Sequence, residues 1–332
     1  MISDITVERT SEGVFRIYWK SNGDPPEVVI YRGDAPGAME RTSAAARVKN
    51  GNCAEIKGLD PVVRHYFEVL PAGGEGIITA ERRVPLQGAI NFRDLGGYET
   101  GNGRRVKWGR IFRSDSLARL TPEDQEVLKK LGVKLVCDFR TPNEVSKAPD
   151  RLPDGAIIEY LHLPLMRGEF DPAAAFERMK QGDISWMTSE FLINGYLENI
   201  EAFADTWGTI FERLVDPQSL PLVFHCTGGK DRAGTCAALI LLALGVPEET
   251  VIEDHALSNV FIADILERIF DHVRSFGIDA DSVAPYFSAP RECIEALLDH
   301  IRRKYGSVDG YLKTQAGVSV KTLSQLKELL LD

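Results

Sequence analysis

The sequence predicts an α/β protein in which helices flank a central, mostly parallel sheet, with a small all-β sandwich domain at the N-terminus. Three observations support this fold class. Residues 1–85 contain short strands separated by turns and show no helical period. Residues 86–332 alternate between strands and helices, the order typical of a sheet covered by helices. Near residue 225, an apolar strand leads through a glycine-containing loop into an apolar helix.

The chain length, composition and charge limit the classes of function. The 332 residues suggest two domains, and 44% hydrophobic with 27% charged residues allows a substantial core. The net charge of -10 at pH 7 disfavours binding to nucleic acid or to anionic membrane surfaces. If a protein of this charge binds an anion, it must therefore concentrate positive potential in one pocket.

Cysteine usage and the N-terminus indicate a reducing compartment. The five cysteines are odd in number and widely spaced, so they form neither a disulfide framework nor a paired zinc-binding motif. Acidic residues lie near the N-terminus, where a signal peptide would need basic ones, and the longest apolar run, residues 237–244, is too short to span a bilayer. We therefore expect a cytoplasmic protein with no integral membrane segment.

The predicted N-terminal domain, residues 1–85, consists of short strands and turns. Strands are predicted at residues 14–19, 28–31, 66–70 and 76–80. Residues 59–69 resemble the corner of a fibronectin type III domain, with His65 where that family usually has a tyrosine. Domains of this kind more often position a partner or cover a neighbouring domain than catalyse a reaction. The resemblance makes this domain a candidate site for a protein partner.

The predicted second domain, residues 86–332, supplies the alternating pattern. The helix at residues 121–132 has Thr121 as its N-cap, Pro122 in its first turn and Gly132 at its end. Strands are predicted at residues 110–113, 133–139, 157–163 and 222–224. Further helices are predicted at residues 188–213, 233–244, 247–257, 259–276, 290–304 and 318–331.

Residues 221–235 have the order expected of a phosphate-binding loop. Five residues separate Cys226 from Arg232, enough chain to curl around one tetrahedral phosphate. Glycines in the loop allow backbone amides to converge on the anion, and the following helix directs the positive end of its dipole toward it. The guanidinium of Arg232 can bind two phosphate oxygens. The loop is His225-Cys226-Thr227-Gly228-Gly229-Lys230-Asp231-Arg232.

Cys226 is the predicted nucleophile. A helix N-terminus and a nearby arginine favour the ionised form of a cysteine, so we expect a Cys226 thiolate at neutral pH that attacks phosphorus in line. The other four cysteines fit the role of small buried hydrophobic residues. His225 has two open interpretations: it tunes the thiolate, or it is a hydrogen-bonded residue at the end of a strand.

At these residues the chain resembles the protein tyrosine phosphatases, in particular a bacterial atypical branch active on phosphotyrosine and often on phosphoinositides. The resemblance implies a two-step reaction through a phosphocysteine, with no metal and no cofactor, on a phosphorylated protein or phosphoinositide substrate. It runs from residue 86 to 332 and includes residues 88–97, 113–115, 138–144, 254–259 and 305–312. It also implies that the substrate phosphate contacts Thr227, Gly228, Gly229, Lys230, Ala233 and Gly234.

The general acid that protonates the leaving oxygen has three candidates. The Trp-Pro-Asp loop of the eukaryotic enzymes is absent from the sequence. Asp231 is the first choice, because the atypical branch carries this aspartate inside the loop. Alternatively, Asp231 orders the loop or pairs with Lys230 or Arg232. Asp138, at a strand end, is the second candidate and Asp171 the third.

Two loop positions bear on specificity and rate. Lys230 either contacts a second phosphate of phosphoinositide or doubly phosphorylated substrates, or balances Asp231 in solvent. Tyrosine phosphatases usually place serine or threonine after the loop arginine, where the hydroxyl helps the sulfur leave. Ala233 occupies that position here, and Thr235 points elsewhere on the helix. We therefore predict slow hydrolysis of the phosphocysteine and a burst of product equal to the enzyme.

Two further sets of residues each have two open interpretations. Arg93 with Asp94, and Arg113 with Asp115, either line the pocket or form structural salt links. Residues 165–200 are rich in methionine and aromatic side chains, which fits either a mobile lid over the site or ordinary helix core.

Three functions remain open on the sequence alone. The favoured one is hydrolysis of phosphotyrosine in proteins, with phosphoserine and phosphothreonine as further substrates. The second is hydrolysis of phosphoinositides or inositol phosphates. The third is a phosphate-binding pseudoenzyme that acts as an interaction module, which only Ala233 favours.

Overall fold

A computed structural model describes residues 2–22, 27–61, 63–166 and 175–332 of the chain. The chain divides into two compact units. The first comprises Met1–Val84 together with two short later segments, Arg93–Gly97 and Lys107–Arg110. The second comprises Pro85–Phe92, Tyr98–Val106 and Ile111–Asp332. No sequence pattern marks the two short segments that join the first unit, and the single boundary predicted after residue 85 stays a prediction.

The first unit contains two antiparallel sheets around a shared apolar core. Alternate residues of the second strand, Phe15, Ile17 and Trp19, point into this core and meet Ile30 and Phe67 from the other sheet. One sheet has the order β1 (Ile2–Ser11), β2 (Val14–Ser21), β5 (Cys53–Ile56), and the other β4 (Ala46–Val48), β3 (Val28–Gly33), β6 (Tyr66–Pro71), β7 (Ile77–Ala80). A short strand, β8 (Arg93–Asp94), also belongs to this unit.

His65 occupies the corner position of the first unit. Its buried ring lies 5.6 Å from Phe15 in an edge-on arrangement, and its Nε2 atom lies 2.8 Å from the carbonyl oxygen of Asp60. A tyrosine at such a corner hydrogen-bonds back to the backbone a few residues upstream. His65 makes the same type of contact through an imidazole nitrogen, and the fibronectin type III resemblance stays a prediction.

The second unit is built around parallel strands. Four strands with the order β11 (Glu159–His162), β10 (Leu135–Asp138), β12 (Leu222–His225), β9 (Ile111–Ser114) run parallel, and β9, β10 and β12 are buried along their whole length. The register places Asp138 and Ser114 on either side of His225. The carboxyl ends of these strands therefore meet at one edge, the usual position of a site in such a sheet.

Twelve helices lie in the described part of the second unit. They are α1 (Pro122–Lys130), α2 (Pro142–Lys147), α3 (Ala175–Lys180), α4 (Ser189–Ala202), α5 (Ala204–Leu214), α6 (Arg232–Leu244), α7 (Glu248–Phe261), α8 (Ala263–Ser275), α9 (Ala280–Phe287), α10 (Arg291–Tyr305), α11 (Val308–Thr314) and α12 (Val320–Leu330). The most buried of the long ones, α6, packs on β12 and β9. The predicted fold class, a mostly parallel sheet flanked by helices with separate N-terminal β structure, is confirmed.

Several helix boundaries differ from the prediction. The helix predicted at 188–213 is two helices, α4 and α5, that meet at Phe203. The helix predicted at 247–257 continues to Phe261. The short helices α2, α9 and α11 were not predicted, because each has fewer than nine residues and shows little apolar periodicity.

The predicted helix at 121–132 has the expected ends. Thr121 and Asp124 form a reciprocal capping box, Pro122 occupies the first turn, and Gly132 follows the last turn with a φ of 67°. Across the described residues, no helix combines the length and apolar character needed to cross a bilayer.

Candidate active site

Cys226 lies between the end of β12 and the start of α6, and its side chain is 2% exposed. The strand is buried on both faces and fixes the residue before the cysteine, while the helix begins at Arg232. The loop therefore stands at the N-terminus of a buried helix, where amide groups and the helix dipole favour an anion.

Donors outside the loop bind four consecutive loop carbonyl groups. These contacts are Ser116 N to Thr227 O at 3.1 Å, Asn91 Nδ2 to Gly228 O at 2.9 Å, Arg113 Nη2 to Gly229 O at 2.7 Å and Arg113 Nη2 to Lys230 O at 3.2 Å. In a trans peptide the carbonyl and the next amide N–H point in opposite directions. Since the carbonyls of residues 227–230 point outward, the amides of residues 228–231 point toward the inside of the loop.

The supports of the loop are themselves fixed by buried charge. Arg113 Nη1 donates to Asp254 Oδ2 at 2.7 Å, and both side chains are buried. Asp115 accepts from the amides of Ile90 and Asn91 at 3.3 and 3.0 Å. Of the two interpretations left open for Arg113 and Asp115, these contacts favour a structural role that acts on the loop.

Glycine is required at one loop position for steric reasons. Gly229 has a φ of +68°, and a Cβ atom there would lie 2.6 Å from Asp115 N and Ser114 O. At Gly228 an added Cβ would meet only the side chain of Lys230, at 3.6 Å. The close approach of the loop to the end of β9 therefore depends on Gly229.

Glu144 holds the loop arginine. Arg232 Nη1 and Nη2 donate to Glu144 Oε2 and Oε1, each at 2.8 Å, and Nη1 also reaches Phe139 O at 3.2 Å. The hydroxyl of Thr227 donates to the same carboxylate. Burial raises the pKa of Glu144, but the hydrogen bonds and charge of Arg232, together with the Thr227 hydroxyl, outweigh it and lower the pKa to about 2. Glu144 is therefore an ionised anchor for the guanidinium.

Glu144 was not among the predicted site residues. The sequence from Thr141 to Glu144 is a capping box, and the structure forms it: Thr141 N donates to Glu144 Oε2 at 2.8 Å, and Glu144 N donates to Thr141 Oγ1 at 3.2 Å. That motif predicts the start of α2 and gives no indication that the same carboxylate reaches Arg232, which is far away in the sequence.

His225 lies at the centre of a buried polar cluster. Its Nδ1 is 3.3 Å from Cys226 O, its Nε2 is 2.9 Å from Asp150 Oδ2, and Asp138 Oδ1 is 3.8 Å from Nε2. His225 is thus a paired residue at a strand end that also contacts the backbone carbonyl of Cys226, and its effect on the thiolate stays a prediction. Asp150 was not predicted as a site residue.

Asp138 is tied to Arg140 in this cluster. Arg140 Nη2 lies 2.7 Å from both Asp138 Oδ2 and Asp150 Oδ1, and the hydroxyl of Tyr160 donates to Asp138 Oδ2 at 2.8 Å. Burial raises the pKa of Asp138, but Arg140 and then His225 outweigh it and lower the pKa to about 2. An ionised, fully buried carboxylate is poorly suited to donate a proton, so this environment does not favour Asp138 as the acid.

Asp138, Asp150 and His225 form the one group in the described ranges whose side chains could together bind a metal ion. Oxygen and nitrogen atoms of Asp138, Asp150 and His225 lie within 4.8 Å of one another. The Arg140 guanidinium contacts both carboxylates and offsets part of their negative charge. The group therefore fits a charge cluster built around arginine better than a metal site.

Asp231 is held by two side chains. The hydroxyl of Tyr196 donates to Oδ1 at 3.0 Å, and Lys230 Nζ lies 3.3 Å from Oδ1 and 3.1 Å from Oδ2. The Lys230 ammonium also donates to the carbonyls of Tyr286 and Ser288, each at 2.7 Å. Its side chain is 11% exposed, so Lys230 is an anchored residue rather than a solvated one.

The remaining predicted residues fall into three groups. Ala233, Gly234 and Thr235 are fully buried in the first turns of α6. Arg93 is buried in the first unit, where it forms a β-bridge with Arg83, and its role in the pocket stays a prediction. Asp171 lies outside the described residues.

The segment 165–200 contributes a separate apolar cluster. Met179 and Met187 are buried with Val273 of α8 and Val283 of α9, and Trp186 packs edge-on against Tyr286 at 4.9 Å. Arg167 and Phe170, and the side chain of Phe176, lie outside the described residues. The described residues Met179, Trp186 and Met187 are therefore core of a cluster with α8 and α9, and a motion of the segment stays a prediction.

Comparisons with known proteins identify the family of this chain. A sequence model described as the tyrosine phosphatase family matches residues 84–332. A tyrosine-protein phosphatase of Cupriavidus necator is 31% identical, covering 70% of this chain and 84% of its own. The triple specificity protein phosphatase PtpB of Mycobacterium tuberculosis is 29% identical over 74% of this chain and 98% of its own, and a tyrosine-protein phosphatase of Nostoc commune is 28% identical over 89% of each. The chain belongs to the tyrosine phosphatase family.

Proposed function

We propose that this phosphatase hydrolyses phosphotyrosine in proteins through a covalent phosphocysteine on Cys226. The observation that carries the proposal is the outward orientation of four consecutive loop carbonyls, which directs the amides of residues 228–231 toward one anion. Arg232 stands at the end of the same loop with its guanidinium fixed by Glu144. Preorganised donors of this kind stabilise the charge of a transferring phosphoryl group.

The reaction has two steps. In the first, the Cys226 sulfur attacks phosphorus, the bond from phosphorus to the tyrosine oxygen breaks, and Asp231 donates a proton to that oxygen. In the second, water attacks the phosphocysteine, the S–P bond breaks, and a proton from the water returns to Asp231. Inorganic phosphate leaves and the thiolate is regenerated. Asp231 is the acid of this proposal because it lies within the loop that binds the phosphate and its side chain remains 29% exposed.

The position of Lys230 favours protein substrates over phosphoinositides. Its ammonium contacts Asp231 and two backbone carbonyls at the end of α9, and none of these is a substrate group. A contact with a second phosphate would require those bonds to break. We expect a higher kcat/KM on phosphotyrosine peptides than on soluble phosphoinositide head groups.

The experiment is a kinetic panel. Wild type and Cys226→Ser are compared on an aryl phosphate, on phosphotyrosine, phosphoserine and phosphothreonine peptides, and on phosphoinositides. The proposal expects turnover by wild type, none by Cys226→Ser, and the highest kcat/KM on phosphotyrosine. The Mycobacterium tuberculosis relative is named a triple specificity protein phosphatase, which supports including every ester class. Turnover by Cys226→Ser at the wild-type rate would exclude the phosphocysteine.

A further inference from the structure

Tyr196 on α4 contacts the proposed acid from outside the phosphate loop. Its side chain is 1% exposed, and its hydroxyl donates to Asp231 Oδ1 at 3.0 Å. Burial, and after it the charge of Asp231, raises the pKa of Tyr196, so this hydroxyl keeps its proton and acts as a donor. A buried tyrosine hydroxyl needs a partner, and here the partner is a carboxylate in the phosphate loop.

The orientation of Tyr196 is itself fixed. Its ring meets the ring of His255 edge-on, with centroids 5.9 Å apart and an interplanar angle of 89°. The hydroxyl also lies 3.5 Å from His255 Nε2. The phenol therefore presents its O–H group in one direction, toward Asp231.

The Asp231 carboxyl does not perform the usual structural task of an aspartate at its position. Asp231 is the N-cap of α6, where an aspartate side chain normally accepts from an amide of the first helical turn. In the structure this side chain makes no capping hydrogen bond. Its oxygens are directed instead to Tyr196 and Lys230.

We propose that Tyr196 is a positioning residue that binds one oxygen of Asp231 and so presents the other oxygen, with its proton, to the leaving group. This inference rests on the proposed function, in which Asp231 is the acid. Oδ1 accepts from Tyr196 and from Lys230 Nζ, so we assign the transferable proton to Oδ2, which lies 3.1 Å from the same ammonium group. An acid held in one orientation reaches the leaving oxygen without first losing rotational freedom.

The test is a series of aryl phosphates with good and poor leaving groups. Tyr196→Phe is expected to lower kcat/KM about tenfold on phenyl phosphate, the equivalent of one lost hydrogen bond. On 2,4-dinitrophenyl phosphate, whose leaving group needs no proton, kcat/KM should change less than about twofold, the factor expected where no acid contributes to the barrier. The comparison uses kcat/KM because it reports formation of the phosphocysteine, whereas the slow hydrolysis predicted from Ala233 limits kcat. In an Asp231→Asn background, the same substitution should have no further effect.

Tyr311→Phe is the matched control. Its hydroxyl is also buried and donates to Ile200 O on α4 at 2.6 Å, away from the phosphate loop. It tests whether loss of any buried tyrosine hydroxyl at α4 gives the same result. We expect Tyr311→Phe to lower Tm and to change kcat/KM by the same factor on both substrates.

Two outcomes would overturn the inference in distinguishable ways. If Tyr196→Phe lowers kcat/KM by the same factor on both substrates, or still lowers it in the Asp231→Asn background, Tyr196 has only a structural role. The acid role of Asp231 then stands. If Asp231→Asn lowers kcat/KM by the same factor for both leaving groups, Asp231 is not the acid. The acid role of Asp231 and the positioning role of Tyr196 then both fail. Should Tyr196→Phe fold poorly, 3-fluorotyrosine at position 196 keeps the hydroxyl and volume, and must then change only the phenyl phosphate rate.

Discussion

Glu144 gives the Arg232 guanidinium its position before any substrate binds. A buried arginine without a partner would destabilise the fold by several kcal/mol, roughly the desolvation penalty of one ion. The contacts with Glu144, Phe139 and Thr227 engage both terminal nitrogens, and none of these contacts with described residues involves the Nε–H group, which remains available to phosphate. The same carboxylate caps α2, so one side chain links a helix start to the phosphate loop.

Replacing Glu144 with glutamine should lower kcat/KM by about 10- to 100-fold, since about 1.4 to 2.8 kcal/mol of transition-state stabilisation depends on the fixed guanidinium. Steady-state kinetics on an aryl phosphate measures this loss. Glu249→Gln is a matched control, because Glu249 forms a bidentate pair with Arg291 on the surface. An equal loss in both variants would contradict the role of Glu144.

The depressed pKa values of Glu144 and Asp138 predict how stability depends on pH. Both carboxyls have a pKa of about 2 in the folded protein, below the ordinary value near 4 that they have in the unfolded chain. Their stabilisation is therefore complete above about pH 5 and is lost as the pH falls toward 2. Denaturant unfolding between pH 7 and 3 should show a steeper loss of unfolding free energy for wild type than for Glu144→Gln. Parallel curves would contradict this assignment.

The residue that follows the loop arginine, Ala233, has no hydroxyl group. We expect release of phosphate from Cys226 to limit turnover, so rapid mixing should show a burst of product equal to the enzyme. Ala233→Ser should shrink the burst and raise the steady-state rate. A linear time course from the first turnover by wild type would contradict slow dephosphorylation.

At the scale of the loop, the contrast between its two glycines is a direct test of the geometry. Gly229→Ala forces a Cβ atom into the backbone of Ser114 and Asp115 at an unfavourable φ, whereas Gly228→Ala meets only a flexible lysine side chain. We expect Gly229→Ala to lower kcat/KM at least about 100-fold, since a misplacement of 1 Å has an effect of that size. Gly228→Ala should cause a smaller loss. Equal effects at both positions would show that the loop does not approach β9 as described.

The loop itself was predictable from the sequence, but most of its supports were not. Strand, glycine loop and apolar helix are contiguous, so Cys226 and Arg232 could be identified from local pattern. Asn91 reaches the loop from a distant part of the chain, and Asp254 holds the loop-binding Arg113 from another. Nothing in the sequence around either residue indicates these contacts. The sequence places Tyr196 only among the aromatic residues of a helical segment. Periodicity predicts that a side chain is buried, but it does not indicate which polar group that side chain contacts.

At the scale of the whole molecule, the two short segments of the first unit decide where the chain can be cut. Trp108 belongs to the first unit, where its indole nitrogen donates to Ile78 O at 3.0 Å and its ring packs with Tyr66 and Ala80. The predicted boundary after residue 85 would leave Trp108 without these neighbours.

Removal of residues 1–84 should therefore destabilise the remaining chain, even though the family match covers residues 84–332. Loss of packing around one buried tryptophan costs about 3–5 kcal/mol, which lowers Tm by on the order of 10 °C in a chain of this size. Thermal unfolding of the truncated and full-length proteins measures the difference. Identical Tm values would show that the first unit contributes nothing to the stability of the second.

The claim that a phosphoryl group passes through Cys226 is tested most directly by trapping the reaction. Wild-type enzyme is mixed with excess aryl phosphate, quenched in acid within the burst, digested and analysed by mass spectrometry. We predict one phosphate on the peptide that contains Cys226, located on its sulfur, and none after reaction of Cys226→Ser. A wild-type enzyme that turns over substrate while this sulfur carries no phosphate, or that carries the phosphate on His225, would contradict the account.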